Sequence, residues 1–263
     1  LLTVSIIIFS LVAFTSATTF TFIAGFALPH KAPYSGMMLS QARGKEPFSP
    51  QTLALLASSL GPEAIVSPRS WVYLPSPGES DIGSTWTGGL GSWTLTLQFS
   101  GHGYIYGPNG TKALARALFG VTPEEFNITE ISLGMVTGRY FTPYDKFVCI
   151  LPQTMQLKLG AQVGDSINIK GINLKIVGVA DPNMLRSILD LDGNSVGPLD
   201  PQQVPGSGLA GTPVQLSLVG LPWDEVVIVP FELAYNVFDG RINNIAVKID
   251  NVTRVDDVLR TLV

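Results

Sequence analysis

The sequence has few of the side chains that build catalytic and metal sites. Its 263 residues include one cysteine, Cys149, and two histidines, His30 and His102. A single cysteine excludes an internal disulfide framework, and the spacing of these three residues matches no zinc motif. Cys149 lies in an apolar stretch, where we expect an inert core thiol. The sequence therefore indicates no metal site, no catalytic residue and no cofactor.

Charge is also scarce. Asp, Glu, Lys and Arg make up 14% of the residues, against an average of about 25% in soluble domains. The formal net charge is −4, and no basic cluster of the kind that binds nucleic acid is present. A P-loop motif is also missing, which excludes ATP binding of that type. The low charge is typical of a membrane-linked protein or of one that lies outside the cytoplasm.

The N-terminal residues 1–30 contain no Asp, Glu, Lys or Arg. Because about 20 apolar residues span a bilayer, we predict a transmembrane helix over this range. No basic residue precedes the run, as a secretory signal peptide would require, and the chain begins with Leu rather than Met. A signal peptide or pilin-like anchor and a buried core helix are the alternatives.

The remainder of the chain divides into a linker and a domain. Proline and glycine punctuate residues 31–50, which we interpret as a juxtamembrane linker. Ser49 as N-cap and Pro50 at the first helical position predict a helix that ends at Leu60. Residues 51–263 are then expected to form one extracytoplasmic domain.

Glycine and proline are also frequent in residues 181–222, which predicts a long irregular excursion from that domain. Within it, residues 190–194 resemble the start of a calcium-binding loop. The acidic ligand at the far end of such a loop is missing, so we interpret these residues as a polar turn.

Alternation of apolar and polar residues predicts many short strands. Together with short helices, they indicate an α+β fold with mixed β-sheets, preceded by one N-terminal transmembrane helix. The predicted strands are residues 64–67, 71–74, 92–99, 147–151, 166–170, 173–179, 226–229 and 243–249. The predicted helices are residues 111–119, 154–159, 231–238 and 254–262.

Two stretches carry the pattern of a known family. Residues 120–180 contain Gly-Arg-Tyr-Phe at 138–141, then an Asp, a buried strand, a short helix, Val-Gly-Asp at 163–165 and Ile-Val-Gly-Val at 176–179. Residues 226–230 read Val-Val-Ile-Val-Pro before a predicted helix. In this order the chain resembles the extracytoplasmic, MacB-like periplasmic core domain of MacB/FtsX-type ABC transporter permeases.

The family pattern requires architecture rather than catalysis. Glycines are expected where strands turn or approach closely, Asp165 is expected to cap a turn, and Arg139 is expected to pair with Asp145. The motif positions in this chain are Gly138, Arg139, Phe141, Asp145, Gly164, Asp165, Gly178 and Pro230.

The resemblance implies a membrane-anchored, non-catalytic domain on the extracytoplasmic side of the cell membrane. Such a domain couples cytoplasmic ATP hydrolysis to export or to an outside partner by conformational change. The implied partners are a cytoplasmic ABC ATPase subunit on a separate chain, a second permease copy or homologue, and membrane lipid. Candidate contact surfaces, chosen because aromatic residues are favoured at interfaces, surround Trp86, Trp93, Leu209 and Trp223.

Two alternatives belong to other classes. A pilin-like or adhesin-type structural surface protein would also carry a hydrophobic N-terminal anchor. A membrane-anchored hydrolase would need a spatial catalytic triad. Three Asn-x-Thr sequons, at Asn109, Asn127 and Asn251, are possible N-glycosylation sites if the domain faces outward.

Overall fold

The computed structural model describes residues 20–25, 36–41, 48–62, 64–74, 83–86, 95–98, 103–190, 194–203 and 216–249. Within these ranges the helices are α1 Pro50–Leu60, α2 Glu125–Thr129, α3 Gln153–Leu159, α4 Pro182–Ser187 and α5 Phe231–Asn236. The strands are β1 Phe20–Gly25, β2 Gly36–Gln41, β3 Ala64–Tyr73, β4 Gly83–Trp86, β5 Leu95–Gln98, β6 Gly103–Tyr106, β7 Lys112–Ala115, β8 Ala117–Val121, β9 Met135–Gly138, β10 Val148–Pro152, β11 Ser166–Ile169, β12 Ile172–Ala180, β13 Leu199–Gln203, β14 Leu216–Gly220, β15 Val226–Pro230 and β16 Arg241–Ile249.

Most of the described strands belong to one mixed sheet. Its strands follow the order β1-β2-β16-β3-β8-β15-β10-β12-β11-β6-β7, and β9 pairs with β12 off this path. Two neighbour pairs, β8 with β15 and β10 with β12, are parallel, and the other pairs are antiparallel. The α+β class predicted from the sequence is therefore confirmed.

Each face of the central strands supports its own core. On one face Val72, Leu118 and Val227 pack with residues of α3 and α5. On the other face Phe119, Ile150 and Trp223 pack with the 3-10 turn at residues 131–134 and with α4. Because successive side chains of a strand point to opposite faces, the runs in β8, β10 and β15 are apolar throughout. The second face, named here the α4 face, carries the candidate site.

The N-terminal prediction is wrong where the structure describes that segment. Residues 20–25, inside the predicted transmembrane helix of residues 1–30, form β1, and residues 36–41, inside the predicted linker of residues 31–50, form β2. The Phe-Thr-Phe-Ile sequence of β1 combines aromatic and β-branched residues that favour strands. Residues 1–19 and 26–35 lie outside the described residues.

Among the helices that the structure describes, none is long and apolar enough to cross a membrane.

Two further local predictions are wrong. Residues 111–119, predicted as a helix, contain β7 and the start of β8, since every second side chain at Ala113, Ala115 and Ala117 is buried. The strands predicted separately at residues 64–67 and 71–74 are one strand, because β3 runs continuously through Pro68 from Ala64 to Tyr73. Pro68 lies in the part of β3 that pairs with β16 and precedes the part that pairs with β8.

The excursion at residues 181–222 is more regular than predicted. It contains α4 and the antiparallel pair β13 and β14, while residues 191–193 and 204–215 lie outside the described residues. Asp181 caps α4 by accepting a hydrogen bond from the amide of Asn183 at 2.8 Å. The excursion therefore adds ordered structure to the α4 face.

Several local predictions are confirmed. Ser49 caps α1, with Pro50 in the first turn, and Gly160 ends α3 in a left-handed conformation. The strands predicted at residues 166–170 and 173–179 are β11 and β12, and the turn at Lys170 and Gly171 joins them into a hairpin. The sequence β15, α5, β16 also follows the prediction. The helix predicted for residues 254–262 lies outside the described residues.

Candidate functional site: a buried arginine between two carboxylates

One face of β3 carries a row of polar side chains into the interior. Residues 67, 69, 71 and 73 point to the α4 face, because every second side chain of a strand points to the same face. Three of these side chains bond to segments that cover the α4 face. Ser67 Oγ lies 3.1 Å from Thr122 Oγ1, and Tyr73 Oη donates to the carbonyl of Leu199. The strand thus anchors both the turn before α2 and the start of β13.

Arg69 is the central member of this row and is fully buried. Its Nε and Nη2 donate to Glu125 Oε1 at 3.0 and 2.8 Å. The same oxygen accepts a bond of 3.0 Å from Thr129 Oγ1, one helical turn later in α2. Glu125 is also fully buried, so this ion pair forms away from bulk water, where charge-assisted hydrogen bonds are strong.

Asp190 supplies a second carboxylate. Its Oδ2 accepts a hydrogen bond from Arg69 Nη1, and its side chain is almost wholly enclosed. The amide of Asp190 also donates to the carbonyl of Asn194 at 2.8 Å. The Asp190 carboxylate is therefore a partner of Arg69. The sequence interpretation of residues 190–194 as a polar turn did not include this role.

We name Arg69, Glu125, Thr129 and Asp190 the Arg69 cluster. It joins the central strand β3, helix α2 and the excursion, although Glu125 and Asp190 lie 56 and 121 positions from Arg69. Sequence reasoning missed the cluster because no local spacing connects its members. The one local signal is the position of Arg69 between the two predicted strands 64–67 and 71–74. An Arg that continues such a strand into the interior needs a buried partner, since Arg is almost never fully buried unless it is paired.

The motif loop, residues 138–145, lies beside this cluster, since the ring of Tyr140 packs 6.2 Å from that of Phe126, the residue after Glu125. Arg139 Nη1 and Nη2 donate to the two oxygens of Asp145 at 2.6 and 2.8 Å, which confirms the predicted pair. Asp145 also accepts bonds from the amide and hydroxyl of Thr142 at 2.7 and 2.8 Å. These bonds, led by those from Arg139, hold the pKa of Asp145 well below its ordinary value, although its partial burial opposes the shift.

Two motif glycines meet where this loop begins. Gly138 of β9 lies opposite Gly178 of β12, and Gly138 has a φ of +81°. A Cβ at Gly138 would lie 2.2 Å from the carbonyl oxygen of Val177, and a Cβ at Gly178 would lie 2.7 Å from the carbonyl oxygen of Arg139. The close approach of the two strands therefore depends on both glycines.

The remaining motif residues are distributed along the sheet. Phe141 is buried in the core of the α4 face. Asp165 accepts a hydrogen bond of 2.8 Å from the amide of Gln162, as predicted for a turn cap, and Gly164 lies in the same turn with a φ of +102°. Pro230 ends β15 immediately before α5. The structure brings Gly138, Arg139, Phe141, Asp145 and Gly178 together, and it places Gly164, Asp165 and Pro230 in other elements.

The comparisons with known proteins decide the family. The chain matches the family described as MacB-like periplasmic core domain over residues 1–262. This chain belongs to that family. The resemblance inferred from the 120–180 and 226–230 motifs is therefore confirmed for the MacB-like domain.

Two solved structures are similar to this MacB-like domain. The periplasmic region of MacB from Actinobacillus actinomycetemcomitans shares 15% identity at a TM-score of 0.40, with 78% of this chain and 84% of that chain covered. The extracellular domain of the noncanonic ABC-type transporter YknZ from Gram-positive bacteria shares 14% identity at a TM-score of 0.37, with 73% and 88% covered. The comparison with curated proteins gave no match. The assignment rests on the family match, since these structural likenesses are low.

The remaining residues singled out from the sequence are the sequon asparagines and the candidate contact residues. Asn109 and Asn127 are exposed, and Asn251 lies outside the described residues. Trp223 was predicted at a contact surface, but it is buried against Phe119 with ring centroids 5.8 Å apart, which corrects that prediction. The side chain of Trp86 and the whole of Trp93 and Leu209 lie outside the description.

Cys149 is fully buried, and burial raises the pKa of its thiol. Among the described residues of the MacB-like domain, no group of three or more His, Cys, Asp or Glu side chains is arranged to hold a metal ion.

The excursion contains one pattern that matches a hydrolase motif. Residues 193–197 read Gly-Asn-Ser-Val-Gly, which fits the Gly-x-Ser-x-Gly pattern of a nucleophile elbow. Such an elbow joins a strand to a helix, whereas Ser195 here lies in an isolated bridge with Leu189 and precedes β13. Its Oγ accepts a hydrogen bond of 3.3 Å from the amide of Gly197. The local structure therefore does not favour a hydrolase.

Proposed function

We propose that this chain is the extracytoplasmic domain of an ABC transporter permease. In this role it couples ATP hydrolysis in the cytoplasm to export or to an outside partner through conformational change. Membership of the MacB-like periplasmic core domain family is the observation that carries the proposal. It does not favour the pilin-like or adhesin-type alternative.

Transmission of a conformational change through the domain, named here the relay, needs segments that move as one unit. The Arg69 cluster meets this need because it fastens α2 and the excursion to β3 through bonds shielded from water. Removing one member would leave the others buried without full compensation, which costs several kcal/mol. The cluster therefore favours one defined packing of these segments over a loose ensemble.

The proposed partners follow from the permease assignment. They are a cytoplasmic ABC ATPase subunit on a separate chain, a second permease copy or homologue, and membrane lipid. The domain itself has no catalytic role in this proposal. The motif residues shape the scaffold, and Asn109 and Asn127 are exposed sites that a glycan could occupy on the outside.

The relay is tested by neutralising Asp190. The permease is purified from its native membrane with any associated ATPase and reconstituted in lipid vesicles. We expect Asp190→Asn to retain ATP hydrolysis but to lose most of the coupled response, because the excursion is no longer fixed to Arg69 by an ion pair. Asp181→Asn is the matched control, since asparagine caps a helix about as well as aspartate.

Three outcomes separate the parts of the proposal. Loss of coupling in Asp190→Asn alone supports the relay through the Arg69 cluster. Equal coupling in both variants and in the wild type contradicts that relay. Failure of any ABC ATPase to purify with the chain contradicts the permease assignment itself.

A further inference from the structure

The α4 face of the main sheet is covered by other elements at one end only. Over β8, β10 and β15 it packs with α4 and with the turn at residues 131–134. Along β6, β7, β11 and the first half of β12, the side chains on this face are half-buried or exposed. We name this open part the tyrosine face, and its residues are Tyr104, Tyr106, Lys112, Leu114, Ser166, Asn168, Asn173 and Lys175.

The strand register places these side chains on one side of the sheet, since residues directly opposite each other point to the same face. The direct pairs are Tyr104 with Leu114, Tyr106 with Lys112, Tyr106 with Asn168, Asn168 with Asn173 and Ser166 with Lys175. Two positions after Lys175, Val177 lies in the core of the α4 face. The tyrosine face is therefore the uncovered continuation of the α4 face.

Tyr106 offers the most exposed ring of the tyrosine face. It is 47% exposed, and its ring centroid lies 6.4 Å from that of Tyr104. Lys112 Nζ lies 4.7 Å from the centroid of the Tyr104 ring, a cation–π contact that holds this ammonium group beside Tyr106. The face of an aromatic ring carries partial negative charge, which suits the C–H groups on the face of a sugar ring.

The strands of the tyrosine face carry positive charge and no negative charge. Strands β6, β7, β11 and β12 contain no Asp or Glu, whereas Lys112 and Lys175 are exposed on the face and Lys170 is exposed in the β11–β12 turn. Asp165 precedes β11, and the amide of Gln162 donates to its carboxylate. Because the net charge of the chain is −4, this local positive charge favours an anionic ligand.

Two asparagines add hydrogen-bonding groups between the lysines. Asn168 Oδ1 accepts a bond of 3.0 Å from the amide of Gly171, and Asn168 Nδ2 donates to Asn173 Oδ1 at 2.7 Å. These bonds orient the exposed Asn173 side chain so that its Nδ2 group can donate to a ligand oxygen. Four strands with a spacing of about 4.8 Å form a platform roughly 14 Å wide, which suits an oligomer better than a single small anion.

We propose that the tyrosine face binds an acidic glycan, an oligosaccharide whose rings carry carboxylates. Tyr106 stacks on the C–H face of one ring, Lys112 and Lys175 bind carboxylates of neighbouring rings, and Asn173 donates to a hydroxyl oxygen. A sugar offers both the flat C–H face and the hydroxyl groups, whereas the side chains of an acidic peptide offer only the carboxylates. Open sheet faces bind oligosaccharides in other folds. The site does not depend on the permease assignment.

Calorimetric titration of the full chain with an oligogalacturonate is the first test, in low-salt buffer where exposed charges act most strongly. The methyl ester of the same oligomer keeps the rings but lacks the charge, and we expect it to bind about five- to tenfold more weakly. Poly-glutamate, which has carboxylates without sugar rings, should not compete. Absence of oligogalacturonate binding, equal binding of the ester, or equal competition by poly-glutamate overturns the proposal.

The second test compares two tyrosines. Tyr106→Ser removes the stacking ring and should weaken oligogalacturonate binding about tenfold. Tyr144→Ser is the matched control, because Tyr144 is 90% exposed but lies in the motif loop. An unchanged thermal midpoint shows that each variant is folded. Equal affinity of the two variants contradicts stacking on Tyr106.

The third test compares two lysines on opposite sides of the sheet. Lys175→Gln should weaken binding about two- to fivefold and reduce its dependence on salt. Lys158→Gln is the control, since Lys158 is an exposed residue of α3, which packs on the other core. Equal losses from both substitutions would show attraction to the whole chain rather than a site, and the proposal fails.

Discussion

Arg69 keeps its charge in the interior because carboxylates from α2 and from the excursion surround it. We predict that Arg69→Met lowers the free energy of unfolding by about 3 to 5 kcal/mol, since two carboxylates are left buried without their cation. Chemical denaturation of the full chain measures this change.

The matched control is Arg139→Met in the motif loop. Arg139 also pairs with a carboxylate, but 51% of its side chain is exposed. Exposed pairs contribute about 1 kcal/mol or less, so the control should cost much less than Arg69→Met. Equal losses from the two substitutions would show that burial does not set the strength of the Arg69 cluster.

The second residue-scale prediction concerns acid. Because the pKa of Asp145 is lowered in the folded state from an ordinary value near 3.8, its contribution is present above that value. It is lost as the pH falls below it, where the unfolded chain binds the proton more readily. The difference in unfolding free energy between wild type and Asp145→Asn should be constant above about pH 5 and shrink toward about pH 2. A difference independent of pH would contradict an ion pair between Asp145 and Arg139.

These two ion pairs show what the sequence reveals about single residues. The Arg139 and Asp145 pair was predictable because both residues lie in one short motif. The Arg69 cluster was not, since its carboxylates are distant in the chain and become neighbours only when α2 and the excursion cover β3. A buried charge can be suspected from an apolar strand pattern, but its partners depend on the tertiary fold.

At the scale of elements, the close antiparallel pairing of β9 with β12 depends on glycine. We predict that Gly138→Ala destabilises the domain by at least about 2 kcal/mol more than Gly164→Ala. Both positions have a positive φ, so both substitutions strain the backbone. A new Cβ meets the Val177 carbonyl at Gly138, whereas nothing lies within 4 Å of one at Gly164. Equal losses in denaturation would show that the strands can separate freely.

Elements were predictable where local chemistry and burial agree. The β11 and β12 hairpin has alternating strands and a turn that uses Gly171, and β10 is an unbroken apolar run. Residues 111–119 contain good helix formers, yet they pair as β7 and β8 because the sheet and α3 bury alternate alanines. Tertiary burial overrides propensity there, and no local signal reveals it.

For the whole molecule, the family motifs were more informative than periodicity. They identified the MacB-like domain, whereas periodicity could not give the strand order. In that order β16 lies between β2 and β3, and β8 lies between β3 and β15. These pairings join segments far apart in the chain, so they depend on the packing of the complete domain.

Labelling with a membrane-impermeant maleimide tests whether this domain lies outside the cytoplasm. Wild type should remain unlabelled through its only cysteine, because Cys149 is buried and burial raises the pKa of its thiol. Tyr144→Cys and Leu133→Cys place thiols at positions where the native side chains are 90% and 66% exposed. The measurement is the labelled fraction of each variant in intact cells, relative to the fraction after lysis.

If the domain lies outside the cytoplasm, both variants are labelled in intact cells as fully as after lysis, while wild type is unlabelled in both samples. Labelling of the variants only after lysis would place the domain inside the cell and contradict the account.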